Sequence, residues 1–314
     1  MAKHLVDSNL QSVESHGVVR LEQYHEQVEK GLFDPGAAPM VKQKDSGAWI
    51  VDGNKGFGIT AMQAAVRKGV EMLGDPKGGG VAAIGVVNCG HTGRLSEYAE
   101  MGAKAGALTI ICGGGSRRCW RQVAPYGGAK GVLPTNPWAV GMPGDAEGPV
   151  VLDFATSALA GGWIMAALQA GARLPDGAII DKDGHPTNNP QDYKDGGAIL
   201  PAAGPKGYGL GLMAELIGGA LLGEVETEEG LGLNTLVILL DTGRFMPSDK
   251  LEDVRACPPA PGHAAVLVPG QWERAHADQV REEGVKIPLG IWNRLAALAT
   301  KLGVHSVMQG VEIQ

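Results

Sequence analysis

Long hydrophobic runs, paired cysteines and clustered basic residues are all missing from this chain. The longest apolar stretches, such as "ALTIIC" and "LVILL", are far too short to cross a bilayer. The opening residues "MAKHLVDSNLQSVESH" lack the apolar core of a signal peptide. The 4 cysteines, Cys89, Cys112, Cys119 and Cys257, form no C-x-x-C and no zinc-ligand spacing. This pattern predicts reduced thiols in a cytoplasmic protein. The 8 histidines contain no H-E-x-x-H or other close pair, so no metal site is expected. Net charge is −7, and no basic tract is interleaved with aromatics, which argues against nucleic acid as a partner.

Nucleotide fingerprints are missing too. No G-x-x-x-x-G-K-[ST] occurs, and the nearest G-x-G-x-x-A matches lie at residues 78–83 and 209–214. The first precedes an expected strand and the second falls inside an expected helix. Neither has the strand–loop–helix context that sets a pyrophosphate on a helix N-terminus. The motifs alone therefore do not describe a Rossmann protein.

What is present is a globular chain of 314 residues, 44% apolar and 19% charged, long enough for one large domain or two or three intertwined ones. The 49 glycines cluster in runs such as "KGGG" and "CGGGS", where backbone turns sharply or approaches a neighbour closely. Apolar periodicity predicts a helix over residues 5–30 with a stripe of Leu10, Val13, Gly17, Leu21 and Val28. A strand follows at 48–52, a helix at 60–73, a strand at 81–87, a glycine-rich loop at 88–94, a helix to 105 and a strand at 107–112. Residues 113–137 read as a long irregular segment, of the length usually tied to function. Strands "WAVGM" and "PVVLDFA", a helix over 157–170, turns over 174–205, a helix over 206–222, strands "TLVILLD" and "AAVLVPG" and a helical last fifth complete the chain. The alternation places it in the α/β or α+β class.

Four constellations could carry chemistry. On one helix, His16, Arg20 and Tyr24 would share a face, with Ser15 beside the histidine. Histidine suits proton transfer near neutral pH, and arginine offers a planar fork for a carboxylate. A 2-oxo acid needs that pair. The plain alternative is a solvated helix face. In "NCGHTGRLSEYAE", glycines bracket His91 just before a helix, whose start favours anions; the alternative is an ordinary loop capped by Thr92. Lys206 in "GPKGYGLGLMAE" could meet a phosphate or carboxylate, or be a surface lysine. Arg117, Arg118 and Arg121 crowd one loop and either collect an anion or are simply solvated.

Taken in order, "ESHGVVRL", "GHTGRLSEYAE", "APYGG", "TNPWAVGMPG", "VLDFATS", "PKGYGLGLMAE" and "VLVPG" resemble the malate/L-lactate dehydrogenase family that lacks the Rossmann fold. Its members include ureidoglycolate, sulfolactate and hydroxycarboxylate dehydrogenases and a piperideine-2-carboxylate reductase. The resemblance implies an α/β fold, α+β-like, in which a largely antiparallel sheet with a helical flanking domain binds NAD(H) or NADP(H). It implies three parts: residues 1–52 as the helical start of a substrate and dimerisation domain, 53–225 as the cofactor domain, and 226–314 returning to the first. It also implies a homodimer with its active site between domains.

Carried over by position, the resemblance makes Ser15 and His16 the catalytic pair, with His16 the proton donor and Arg20 the carboxylate clamp. His91, Thr92, Gly93, Arg94 and Leu95 would touch the cofactor, although some members give that histidine the acid–base role. Thr135 would lie near the substrate. Asp153, Phe154, Ala155, Lys206 and the segment Pro269, Gly270, Gln271, Trp272, Glu273 and Arg274 would line the cofactor site. Three features depart from the family pattern: a short lead-in before "SNLQSVESHG", a longer arginine loop, and Trp163, preceded by Gly161 and Gly162, at a substrate-pocket position that is usually polar. Trp163 at helical spacing from Leu159 and Ala166 also fits a core residue. The expected activity is interconversion of 2-oxo and 2-hydroxy acids. Reduction of a 2-imino acid and a non-catalytic nucleotide-binding relative are the alternatives.

Overall fold

The computed structural model describes residues 1–116, 120–223, 232, 234–245 and 255–304. The chain divides into two compact units, Met1–Leu32 with Glu273–Gln314, and Phe33–Trp272.

The larger unit is built on a seven-stranded sheet with the order β1-β2-β3-β10-β4-β5-β6. These strands are Met40–Gln43 (β1), Trp49–Asp52 (β2), Val81–Val87 (β3), Ala107–Gly114 (β4), Trp138–Asp145 (β5), Gly148–Phe154 (β6) and Asn234–Asp241 (β10). Only β2 and β3 run parallel; the other neighbours are antiparallel. A parallel pair needs a crossover, and helix α3 (Gly58–Leu73) supplies it. The class is mixed α/β with a mostly antiparallel sheet.

Period-two alternation explains the core. Ala82, Ile84 and Val86 of β3, Val237 and Leu239 of β10, and Ala107 and Ile111 of β4 are buried in one cluster. Against them lie Ala61, Met62, Ala65 and Val66 of α3, spaced for one helix face, and Tyr98 and Ala99 of α4 (Ser96–Lys104). Helix α7 (Pro205–Leu216) packs on β4 and runs into a π-helical turn, Ile217–Leu221.

A second, smaller core joins helix α5 (Gly161–Ala170) to a three-stranded sheet, β8-β7-β9. Its strands are Ile179–Ile180 (β7), Pro186–Thr187 (β8) and Ala198–Ile199 (β9), with helix α6 at Pro190–Lys194. Ile164, Val123, Leu133, Leu174, Ile179 and Ile199 fill it. The sequence reading took residues 174–205 for turns, because two-residue strands carry no periodicity to detect. It also placed a helix start at 157; α5 begins at Gly161, since Ser157 instead bridges to Pro201. "AAVLVPG" forms no strand. Pro269 accepts one bond from the Val151 N–H, at 3.0 Å.

In the smaller unit the single expected helix over 5–30 is broken. Helix α1 (Ala2–Leu10), a 3-10 turn (Glu14–His16) and helix α2 (Arg20–Glu29) take its place. The break falls where Ser12 has φ +56°, a conformation that no helix carries. Helices α8 (Gln271–Glu283) and α9 (Leu289–Lys301) follow. Arg294 with Glu22 (2.9 Å) and Lys301 with Glu29 (2.7 Å) pair α9 with α2. Such exposed pairs contribute only about 0–1 kcal/mol each; the buried apolar residues of this unit are Leu5, Leu10, Tyr24, Ala277 and Ala299. Among the described residues, no helix is long and apolar enough to cross a membrane.

Candidate functional site

The candidate residues fall on both units. In the smaller one, the break in the helix corrects the expected row. His16 ends the 3-10 turn and Arg20 opens α2, so the two are not stacked on one helix. They are brought together by a different route. The Arg20 Nε–H donates to the Ser15 carbonyl at 2.6 Å, and Nη1 donates to Gln23 Oε1 at 2.6 Å. The Ser15 hydroxyl meets His16 Nδ1 at 2.9 Å. Serine, imidazole and guanidinium thus form one hydrogen-bonded group, with Nη2 the part of the fork that makes no bond among the described residues. Burial pulls Arg20 below its ordinary pKa, an effect opposed by Tyr24. A partly desolvated cation gains more from an incoming carboxylate than an exposed one does. Tyr24 itself is buried, and its hydroxyl is pushed up to about 12 by that burial. It is a core residue, not a third member of a substrate-facing row.

In the larger unit, residues 91–95 run from β3 to α4 outside any helix. His91 is half-buried and its Nδ1 accepts from the Gly93 N–H at 3.3 Å. Thr92, Arg94 and Leu95 are buried. Thr92 does not cap α4; its carbonyl accepts from the Tyr98 hydroxyl at 2.5 Å. The first N–H of α4, on Ser96, goes to Asp153 Oδ2 at 2.7 Å, and Arg94 Nη1 donates to Ser96 Oγ at 3.0 Å. The helix start that the sequence offered to an anion is therefore met by a carboxylate of the chain itself, which ties the His91 loop to the end of β6.

The end of β6 is tied in turn to Thr135. Trp138 pairs with Phe154 in the sheet, and Thr156 donates through both its N–H and its hydroxyl to the Thr135 carbonyl, each at 3.0 Å. Helix α7 closes on the same spot. Gly207 sits so near that a Cβ there would stand 2.2 Å from the Ala202 carbonyl and 2.7 Å from that of Thr156. Only glycine permits this approach, and it brings Lys206, exposed in the first turn, beside the Thr135–Thr156 junction. The structure thus gathers Thr135, residues 153–155, Lys206 and the 91–95 loop. Pro269 joins them through Val151, two residues before Asp153, and Gln271 Nε2 reaches Glu147 Oε2 at 2.9 Å. Gly270 and Trp272 lie in the same unit, whereas Glu273 and Arg274 belong to the smaller one.

Trp163 is 61% exposed. The core reading of this residue is overturned: Ile164 and Ala167 face the second core instead, one residue off the expected stripe. Gly161 and Gly162 open the helix beside it and are half-buried. Arg121 is exposed, while Arg117, Arg118 and Cys119 lie outside the described residues. Cys89, Cys112 and Cys257 are unpaired thiols.

Sequence reasoning missed Glu215. It is buried at the end of α7, and its Oε2 accepts from the Gly115 N–H at 2.9 Å and from Asn136 Nδ2 at 3.0 Å. Asn136 adopts φ +41° just before Pro137 and follows Thr135, so this carboxylate fixes the backbone that carries Thr135. A lone acid ending the apolar "GLGLMAE" was the available signal.

Comparison with known proteins decides the family. The malate/L-lactate dehydrogenase family matches residues 1–296. The chain belongs to this family. The L-lactate dehydrogenase of Cupriavidus necator is 33% identical over 97% of this chain and 90% of its own length. The NAD(+)-dependent ureidoglycolate dehydrogenase of Escherichia coli is 31% identical over 94% and 87%. The solved structure of sulfolactate dehydrogenase from Methanocaldococcus jannaschii superposes with a TM-score of 0.82 at 27% identity, covering 96% of this chain and 89% of that one. As a member of the family, the chain is an oxidoreductase that interconverts 2-hydroxy and 2-oxo acids.

Proposed function

We propose that this dehydrogenase uses His16 as the proton donor and Arg20 as the carboxylate clamp. The observation that carries the reading is the bonded group of Ser15, His16 and Arg20. In the reductive direction the protonated imidazole would hand its Nε2 proton to the substrate carbonyl oxygen and become neutral, keeping the proton on Nδ1, from which the Ser15 hydroxyl oxygen accepts a hydrogen bond at 2.9 Å. Arg20 holds the carboxylate next to that carbon, and Ser15 fixes the spacing by serving both partners. A nicotinamide cofactor, NADH or NADPH, supplies the hydride to substrate C2 when bound.

The donor set in the larger unit fits such a cofactor. Lys206 offers an exposed ammonium for phosphate, the half-buried His91 a ring for the cofactor's polar edge, and residues 153–155 an accessible strand end. Asp153 acts mainly by holding the 91–95 loop in place. Residues 269–272 extend the lining, and the fold is read as non-Rossmann because the sheet is mostly antiparallel and the loop between β3 and α4 carries no G-x-G-x-x-G. Thr135, Gly161, Gly162 and Trp163 are assigned to the substrate side.

The reading extends to a cytoplasmic homodimer. Leu210, Leu212, Met213, Leu216 and Leu221 are all exposed on α7 and the turn after it. Several exposed apolar side chains on one short segment support an interface there. The unpaired thiols suit a reducing compartment.

The test is a panel assay in which each reduced cofactor is offered with 2-oxo acids of different tails and with cyclic imines. Turnover of some 2-oxo acid is the expected result. Binding of reduced cofactor without turnover across the whole panel would favour the non-catalytic alternative.

A further inference from the structure

The broken helix at the start of the chain leaves a backbone problem whose solution points to one more residue. Between the 3-10 turn and α2 the ladder of bonds is interrupted. Gly17 N–H reaches Glu14 O, Arg20 N–H reaches Gly17 O, and Leu21 N–H reaches Val18 O. The Val18 N–H has no helical acceptor at this junction, and an unpaired N–H in a part-buried position is costly. Asn9, on the last turn of α1, supplies the acceptor: the Val18 N–H donates to Asn9 Oδ1 at 2.8 Å.

The same amide occupies the place of a missing side chain. A Cβ on Gly17 would stand 2.1 Å from Asn9 Oδ1 and 2.6 Å from its Cγ. Gly17 does not need its freedom for an unusual φ, which is −90°. It needs to be small so that Asn9 can lie against it. Asn9 is itself 9% exposed. It grips the backbone on the C-terminal side of His16, while the Val13 N–H, donating to the Ser8 carbonyl at 2.8 Å, grips the N-terminal side. A three-residue 3-10 turn has poor internal bonds, so these two outside ties, with the Arg20 Nε bond to the Ser15 carbonyl, hold the backbone that carries the imidazole.

We propose that Asn9 is a positioning residue for His16, acting through Gly17 and Val18. The proposal rests on the reading of His16 as proton donor given above. A shift of about 1 Å in a reacting group can lower a rate by roughly a hundred-fold.

The experiment compares Asn9→Leu, which keeps the size and removes the acceptor, with Asn9→Asp, which keeps the acceptor. His16→Ala is run alongside. Asn9→Leu is expected to lower kcat roughly ten- to a hundred-fold with the cofactor KM unchanged, and Asn9→Asp to restore most of it. The nitrogen NMR signal of His16 Nδ1, set by the Ser15 hydroxyl, should move in Asn9→Leu and return in Asn9→Asp. Gly17→Ala should be harmful in the wild type and add little in Asn9→Ala, since the clash is then gone. A folded Asn9→Leu with wild-type kcat and an unmoved His16 signal would overturn the proposal, as would strictly additive effects of Gly17→Ala. If His16→Ala leaves kcat intact, the reading of the donor fails instead, and the His16 signal still decides whether Asn9 positions the ring.

Discussion

Arg20→Lys keeps the charge and removes the geometry, so it tests the clamp directly. In the wild type the guanidinium spends Nε on the Ser15 carbonyl and Nη1 on Gln23, both at 2.6 Å. A lysine has one nitrogen on a flexible stem and can replace at most one of these contacts while facing substrate. Hydrogen bonds to charged groups are worth about 1.5–3 kcal/mol each. Nη1 keeps a second N–H beside Nη2, so the end of the fork can give a carboxylate two parallel bonds, and losing one of them raises KM for the oxo acid about ten- to a hundred-fold, at 1.4 kcal/mol per factor of ten. Loss of the internal tie costs less, because the half-buried Ser15 carbonyl can take a water in its place. About 1 kcal/mol would lower Tm by only about 2–4 °C in a chain of this order of size. The assay follows oxidation of reduced nicotinamide against oxo-acid concentration, with the matching 2-oxo amide as a control that lacks the carboxylate. Wild type should prefer acid to amide strongly, and Arg20→Lys should lose most of that preference. A variant with unchanged KM for the acid, or with the loss confined to the cofactor KM, would show that Arg20 serves the fold and not the substrate.

The other predictions concern the two histidines and the tryptophan. General acid–base groups contribute about a hundred- to ten-thousand-fold, so His16→Ala should lower kcat by such a factor while His91→Ala mainly weakens cofactor binding. The reverse pattern, with normal cofactor affinity in a dead His91→Ala enzyme, would exchange their roles. Because Trp163 is exposed, Trp163→Lys should fold with stability within about 0.5 kcal/mol of wild type. As a pocket wall it should favour 2-oxo acids with apolar or aromatic tails over pyruvate, and disfavour cyclic imines, with the lysine variant shifting preference towards smaller or more polar acids. An unchanged substrate profile would take Trp163 out of the pocket.

How much of this was legible in the sequence depends on the range of the interaction involved. A short continuous apolar run located β3 at Val81–Val87, and both ends of the 107–112 strand lay within two residues of β4. Such signals are local, since each residue reports its own burial. The same logic failed over residues 5–30, where apolar spacing ran on through a backbone that breaks. One φ of +56° at Ser12 is enough to end a helix, and serine gives no warning of it. His16 and Arg20 still lie near one another without the helix that suggested it, because Arg20 Nε finds the Ser15 carbonyl across the break.

What could not be read from the chain are the pairings of polar groups apart in sequence. Asn9 with Val18, Thr156 with Thr135, Ser96 with Asp153 and Glu215 with Gly115 and Asn136 are each invisible until the backbone is folded. They share one physical cause. Each meets a backbone group left over where a strand or helix stops: the Val18 N–H at a helix break, the Ser96 N–H at a helix start, the Thr135 carbonyl and Gly115 N–H just beyond strand ends. Regular elements satisfy their own interiors and leave their ends open. A site assembled from loops between such ends must borrow acceptors and donors from distant residues. The residues that look most like chemistry in the sequence, His16, Arg20, His91 and Lys206, therefore sit on loops and turns whose placement depends on other polar side chains, those that hold the loop ends in place.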